Sequence, residues 1–143
     1  MDNSLKTSVM IIEDDRDFRE LLEGIFERSE LFNLVGSFDS VEAYGAEMLK
    51  NKPYVSWLPQ LLVVDVMSSE DPRQESASLI SALRSEGLRF ATLFVSSMDF
   101  GALLRVLRKS HPQGWSSLQK TSRLTEQDIV EAAVSAFNEM RST

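Results

Sequence analysis

Short apolar runs alternate along this chain with stretches in which apolar residues recur every three or four positions. The runs predict five strands, at residues 9–12, 34–35, 61–64, 91–95 and 115–118. The periodic stretches predict five helices, at residues 16–29 and 41–50, between residues 71 and 87, around residues 103–107, and from residue 125 onward. Strands that alternate with helices are typical of a parallel sheet covered on both faces, so we predict an α/β fold.

Residues with known capping preferences stand where several of these helices are predicted to begin or end. Ser40 occupies the N-cap position of the second helix. Asp71 and Pro72 open the third helix, and Gly87 suits its C-terminal end. Thr125 is followed three residues later by Asp128, which is a capping-box pattern with Asp in place of the commoner Glu or Gln.

Composition narrows the class of protein. A chain of 143 residues with 43% hydrophobic and 26% charged residues is typical of one globular domain. The absence of cysteine excludes disulfides and thiolate metal sites, and it is compatible with a cytoplasmic location. The sequence predicts neither a signal peptide nor a membrane span. A net charge of −7 argues against nucleic-acid binding by this domain itself.

Polar and charged residues follow four of the predicted strands. In a parallel α/β sheet the ligand site lies outside the carboxyl ends of the strands, so these positions are the candidates for chemistry. They are Glu13, Asp14 and Asp15 after the first strand, Asp65 after the third, Ser96 and Ser97 after the fourth, and Gln119, Lys120 and Thr121 after the fifth. We therefore expect carboxylates, a hydroxyl and an ammonium group to meet at one edge of the sheet.

This set of groups suits phosphoryl chemistry. Crowded carboxylates repel one another, and Mg²⁺, which prefers oxygen ligands, would relieve the repulsion. Lys120 would neutralise a phosphoryl oxygen and Ser96 would donate a hydrogen bond to it. These roles leave Asp65 as the candidate nucleophile, and formation of an aspartyl phosphate is mostly a matter of positioning and charge stabilisation.

Four short segments in this order resemble the receiver domain of a two-component response regulator. They are IIEDD with Asp14 and Asp15, VVD with Asp65, VSS with Ser96, and LQK with Lys120. The resemblance covers residues 8–138, which is nearly the whole chain. The segment LVGSFDS is similar to the second-strand region of LuxR/NarL-type transcriptional regulators.

The resemblance implies a flavodoxin-like (CheY-like) five-stranded parallel sheet with strand order 2-1-3-4-5. It implies Mg²⁺ binding by Asp14, Asp15, Asp65 and the backbone carbonyl of Met67. It also implies that Asp65 accepts a phosphoryl group from a sensor histidine kinase or a phosphotransfer protein, so that the domain is a signalling switch and not an enzyme. The output would be read on the face formed by the fourth helix, fifth strand and fifth helix, through a homodimer or a partner.

Several positions depart from the family pattern. Ser68 and Ser69 replace the usual Met-Pro pair after the phosphoacceptor. Ser117 stands where the family has an aromatic residue that moves together with the Ser96 position on activation. Trp115, two residues earlier, is the candidate replacement, so we assign the switch to Ser96, Ser117 and Trp115.

Alternatives remain open from the sequence alone. Asp14 and Asp15 would also suit a helix cap, and Lys120 would also suit a structural ion pair with Asp65 in a pseudo-receiver that binds partners without phosphorylation. A phosphatase of the haloacid dehalogenase type is disfavoured, because it needs a second Asp at the position of Met67. The sequence does not decide between a complete single-domain regulator and one with an output domain elsewhere.

Overall fold

The computed structural model describes residues 6–50, 59–65, 90–96 and 115–141. The predicted third and fourth helices lie outside the described residues, as do Met67, Ser68, Ser69 and Ser97. The strands are β1 (Thr7–Ile12), β2 (Phe32–Phe38), β3 (Leu61–Asp65), β4 (Ala91–Ser96) and β5 (Trp115–Gln119). The helices in the described part are α1 (Arg16–Arg28), α2 (Val41–Lys50) and a last helix (Glu126–Arg141).

The five strands form one sheet in the order β2-β1-β3-β4-β5, and every neighbouring pair is parallel. This confirms the predicted flavodoxin-like fold and its strand order. The edge strand β2 is longer than predicted, because backbone pairing with β1 extends over the polar positions Asn33 and Ser37. The pairing shifts by one residue between Val9 and Met10, which leaves Val35 as the extra residue of β2.

The central strands are buried on both faces. Residues of β3 and β4 are all buried, as expected for strands that read as continuous apolar runs. Since alternate side chains point to opposite faces, Val63 and Leu93 lie on one face and Val64 and Phe94 on the other. The first face packs against α1 and the last helix, through Leu22, Ile25, Phe26, Ile129, Ala133 and Ala136.

The helix starts follow the predicted caps. The Ser40 hydroxyl accepts a hydrogen bond from the backbone N–H of Ala43 at 3.0 Å. Thr125 and Asp128 exchange two hydrogen bonds of 3.0 and 3.1 Å, which confirms the capping box. No helix in the described part of the chain has the length and apolar composition that a membrane crossing requires.

We expect Thr125→Ala to lower the free energy of unfolding by about 1 kcal/mol, because the backbone N–H of Asp128 loses its acceptor. Urea unfolding measures this change. Ser135→Ala in the same helix is the control: Ser135 is exposed and alanine favours helices, so this variant should be as stable as the wild type or slightly more stable. Equal stability of the Thr125→Ala protein and the wild type would contradict a stabilising cap.

Candidate functional site

The carboxyl edge of the sheet brings the predicted residues to one place. Asp65 is the last residue of β3 and Ser96 is the last residue of β4. Lys120 directly follows β5, and its backbone N–H donates to the carbonyl of Ser96 at 2.8 Å. Because the strands are parallel and in register, these positions share the edge that the fold class reserves for ligands.

Three carboxyl groups form a cluster at this edge. One oxygen each of Glu13, Asp14 and Asp65 lie within 4.8 Å of one another. Glu13 and Asp65 are buried, with 0% and 2% of their surface exposed, whereas Asp14 is exposed. Carboxylate oxygens at this spacing are the donors that a hard divalent cation such as Mg²⁺ prefers, so the residues present fit such an ion.

Lys120 brings a positive charge into the cluster. Its Nζ lies 2.6 Å from Glu13 Oε1 and 3.4 Å from Asp65 Oδ1. The same ammonium group lies 4.7 Å from the centre of the Phe18 ring, within the range of a cation–π contact. With 16% of its side chain exposed, Lys120 is held largely away from water and against two buried carboxyl groups.

The crowding of carboxyl groups shifts the pKa values of Asp65 and Asp14 in opposite directions. Burial raises the pKa of Asp65 to about 8, and hydrogen bonds with Asp14 and Glu13 and the charge of Glu13 act in the same direction. The pKa of Asp14 is lowered, mainly because its carboxylate accepts a hydrogen bond from Asp65. Without a bound cation, the crowding therefore favours protonation of Asp65 over protonation of Asp14.

The three acidic residues after β1 have different surroundings. The Asp15 carboxylate caps α1, accepting hydrogen bonds from the backbone N–H groups of Asp17 at 3.0 Å and Phe18 at 3.3 Å. Glu13, which the sequence-based metal set omitted, stands beside Asp65 instead. The Asp15 carboxylate caps the helix in this structure, as the alternative interpretation of the sequence expects, and its metal contact stays a prediction.

The position of Glu13 at the end of the first strand was visible in the sequence, but its burial was not. The sequence also gave no reason to select Phe18 or Arg19, which contact Lys120 and the carbonyl of Glu13. Both belong to the first turn of α1, where an aromatic and a basic residue are common on any helix. Only their contacts in the structure show that Phe18 and Arg19 contribute to the site.

The predicted switch residues are spread along the sheet. Ser96 is buried at the carboxyl edge, while Ser117 lies in the middle of β5 opposite Phe94. Trp115 begins β5 and packs edge-on against Phe94, with ring centroids 6.2 Å apart. Trp115 and Gln119 are four positions apart along the extended strand β5, or roughly 13 Å. Trp115 therefore lies far along β5 from the cluster, and its part in a switch stays a prediction.

Neither family models nor curated protein sequences match this chain. Solved structures do match. The signal receiver domain of NarL from Mycobacterium tuberculosis is 25% identical, with a TM-score of 0.70 over 93% of this chain and 97% of that one. A DNA-binding response regulator of the LuxR family from Staphylococcus aureus is 14% identical, with a TM-score of 0.69 over 92% of this chain and 99% of that one.

The isolated REC domain of RcsB from Salmonella enterica serovar Typhimurium, solved in the presence of the phosphomimetic BeF₃⁻, is also similar. It is 16% identical, with a TM-score of 0.67 over 90% of this chain and 86% of that one. These comparisons confirm the resemblance predicted from the sequence: the chain has the receiver-domain fold of response regulators.

The raised pKa of Asp65 predicts how stability depends on pH in the absence of metal. Because Asp65 has a pKa of about 8 in the folded protein and 3.8 as its ordinary value, the folded protein binds more protons than the unfolded chain between these values. The free energy of unfolding should therefore fall as pH rises through this range. The lowered pKa of Asp14 acts below its ordinary value of 3.8, outside this window.

Urea unfolding in the presence of a chelator, at about pH 5 and about pH 8, measures this dependence. Asp65→Asn cannot titrate, so its stability should change less between the two conditions. An equal change in the wild type and the variant would show that another group carries the dependence.

Proposed function

We propose that this chain is a phosphoacceptor signalling domain in which Asp65 receives a phosphoryl group from a sensor histidine kinase or a phosphotransfer protein. The observation that carries the proposal is the meeting of Glu13, Asp14, Asp65 and Lys120 at the carboxyl edge of a receiver-type sheet. The chain acts on itself and has no foreign substrate to turn over. We place it in the cytoplasm as one receiver domain over residues 1–143, with its core at residues 8–138.

Each residue has a defined task in the proposed transfer. An oxygen of ionised Asp65 attacks phosphorus, so that a bond from Asp65 to phosphorus forms while the bond to the donor atom breaks. The Lys120 ammonium and the Ser96 hydroxyl stabilise the charge on the phosphoryl oxygens. Asp14 and Asp65, with the backbone carbonyl of Met67, would hold Mg²⁺, which supplies positive charge opposite those oxygens.

The proposed output lies on the surface formed by the predicted fourth helix, by β5 and by the last helix. Phosphorylation adds roughly −1.5 to −2 charge at the edge where β4 and β5 end, so the nearest responsive groups are Ser96 and Lys120. A homodimer or a partner would read the change, and this domain itself would not contact nucleic acid. Ser117 and Trp115 would transmit the change along β5.

The alternative is a pseudo-receiver that binds partners without phosphorylation. One observation favours it: Lys120 already pairs with Asp65 at 3.4 Å and with Glu13 at 2.6 Å, as a purely structural ion pair would. This alternative predicts that Asp65→Asn leaves partner binding and signalling unchanged.

Incubation with acetyl phosphate and Mg²⁺ should add one phosphoryl group to the wild type, because the site can catalyse its own modification. Intact mass measures the gain. Asp65→Asn and a wild-type sample with the metal chelated should show none. No gain in folded wild-type protein would favour the pseudo-receiver.

A second comparison tests which acidic residue holds the metal. Asp14→Asn should slow phosphorylation more than about tenfold, because a carboxylate that faces Asp65 is lost. Asp15→Asn is the matched control on the neighbouring residue, and asparagine keeps the capping function that Asp15 performs. Initial rates of mass gain measure both. Equal slowing by the two variants would assign Asp15 a direct role at the metal.

A further inference from the structure

A groove opens at the amino edge of the sheet, at the opposite end of the strands from the cluster of Glu13, Asp14 and Asp65. Its volume is about 250 Å³, and it is open to solvent on one side. The residues that line it are Thr7, Glu30, Leu31, Phe32, Val134 and Phe137. Thr7 and Ile12, the two ends of β1, are five positions apart, or roughly 17 Å. The groove and the phosphoacceptor site therefore share no residue.

Most of the groove wall is apolar. Phe32 is buried and packs edge-on against Phe26, with ring centroids 5.3 Å apart, so the core fixes its position. Val134 and Phe137 are partly buried and pack against the same core. Leu31 also lines the groove, and 55% of its surface is exposed. The groove therefore offers apolar surface to the uncharged part of a ligand.

The charge around the groove is negative. Glu30 is exposed, and none of the described residues donates a hydrogen bond to its carboxylate or forms an ion pair with it. Arg28, two residues before it, pairs with Glu126 instead. The first helix ends at Arg28, and Phe137 lies about one turn before the end of the last helix at Arg141. Since the carboxyl end of a helix carries partial negative charge, both helix ends favour a cation here and oppose an anion.

We propose that this groove binds a small organic cation, which has an aromatic or branched aliphatic body and one amino group. The body lies against Phe32, Val134 and Phe137, and the ammonium group faces the Glu30 carboxylate. An apolar cavity of about 150 Å³ is enough to bind benzene. A groove of about 250 Å³ therefore has room for one ring and a short chain that carries the amine.

The binding goes beyond the proposed function and does not depend on it, because no residue of the phosphoacceptor site takes part. Val134 and Phe137 belong to the last helix, which is one element of the proposed output surface. A bound cation would contact this helix at the end of the sheet away from Asp65. Only this consequence rests on the proposed function.

Phenethylamine is the probe, because it joins one ring to a short chain with an ammonium group. In protein labelled with ¹³C at leucine and valine methyl groups, the signals of Leu31 and Val134 are assigned from their loss in Leu31→Met and Val134→Ala. Without metal or phosphodonor, the probe should shift both signals until they saturate. Phenethyl alcohol should bind more weakly, and phenylpropionate, which is an anion, most weakly. Absence of saturable shifts with phenethylamine, or equal binding of all three compounds, would overturn the proposal.

Glu30→Gln tests the charged end of the groove. It should weaken phenethylamine binding about twofold to fivefold, as expected for an exposed charge pair, and leave the affinity for phenethyl alcohol unchanged. Glu27→Gln is the matched control, since Glu27 is also exposed but does not line the groove, and its affinity should equal that of the wild type. Equal weakening by both variants would mean that the net charge of −7 attracts the amine without a site, and it would overturn the proposal. Wild-type affinity in Glu30→Gln would overturn it as well.

Discussion

The ion pairs of Lys120 with Glu13 and Asp65 are the interaction on which the carboxyl edge depends. Both carboxyl groups are buried, and a buried charge without a partner costs several kcal/mol. The lysine compensates both carboxyl groups, lying 2.6 Å from Glu13 Oε1 and 3.4 Å from Asp65 Oδ1. Glu13, Asp65 and Lys120 therefore hold one another in place when no phosphoryl group is present.

The sheet fixes the positions of Glu13, Asp65 and Lys120 relative to one another. Asp65 pairs with Val95 in register, and a slip of one residue would turn Asp65 to the opposite face of the sheet. The close packing of the buried side chains of β3 and β4 opposes such a slip, because the shifted side chains would no longer fit their neighbours. The same burial that fixes the register also raises the pKa of Asp65, so the stability of the fold and the chemistry of the site have one cause.

Much of this arrangement could be predicted from the sequence, because continuous apolar runs and capping residues report directly on local structure. The cap at Ser40 and the Thr125–Asp128 box were predicted in this way and are confirmed, as is the strand order, which the resemblance to receiver domains implied. The different surroundings of the acids from Glu13 to Asp15 could not be predicted. The end of β1 at Ile12 and the start of α1 at Arg16 were predicted, but which of the three acids between them is buried depends on side-chain packing, which the sequence pattern does not show.

Charge balance links the resting site to the proposed switch. Lys120 pairs with two of the three clustered carboxyl groups, those of Glu13 and Asp65, and Asp65 must be without its proton before it can attack phosphorus. Loss of that proton, followed by arrival of a phosphoryl group, adds negative charge where carboxylates already repel one another. Lys120 cannot neutralise both Glu13 and the phosphoryl group at once, since a single ammonium group serves them. A divalent cation at Asp14 and Asp65 would neutralise this added negative charge. Its positive charge would also favour the ionised form of Asp65. The proposed need for a metal would then follow from the contact between Glu13 and the lysine.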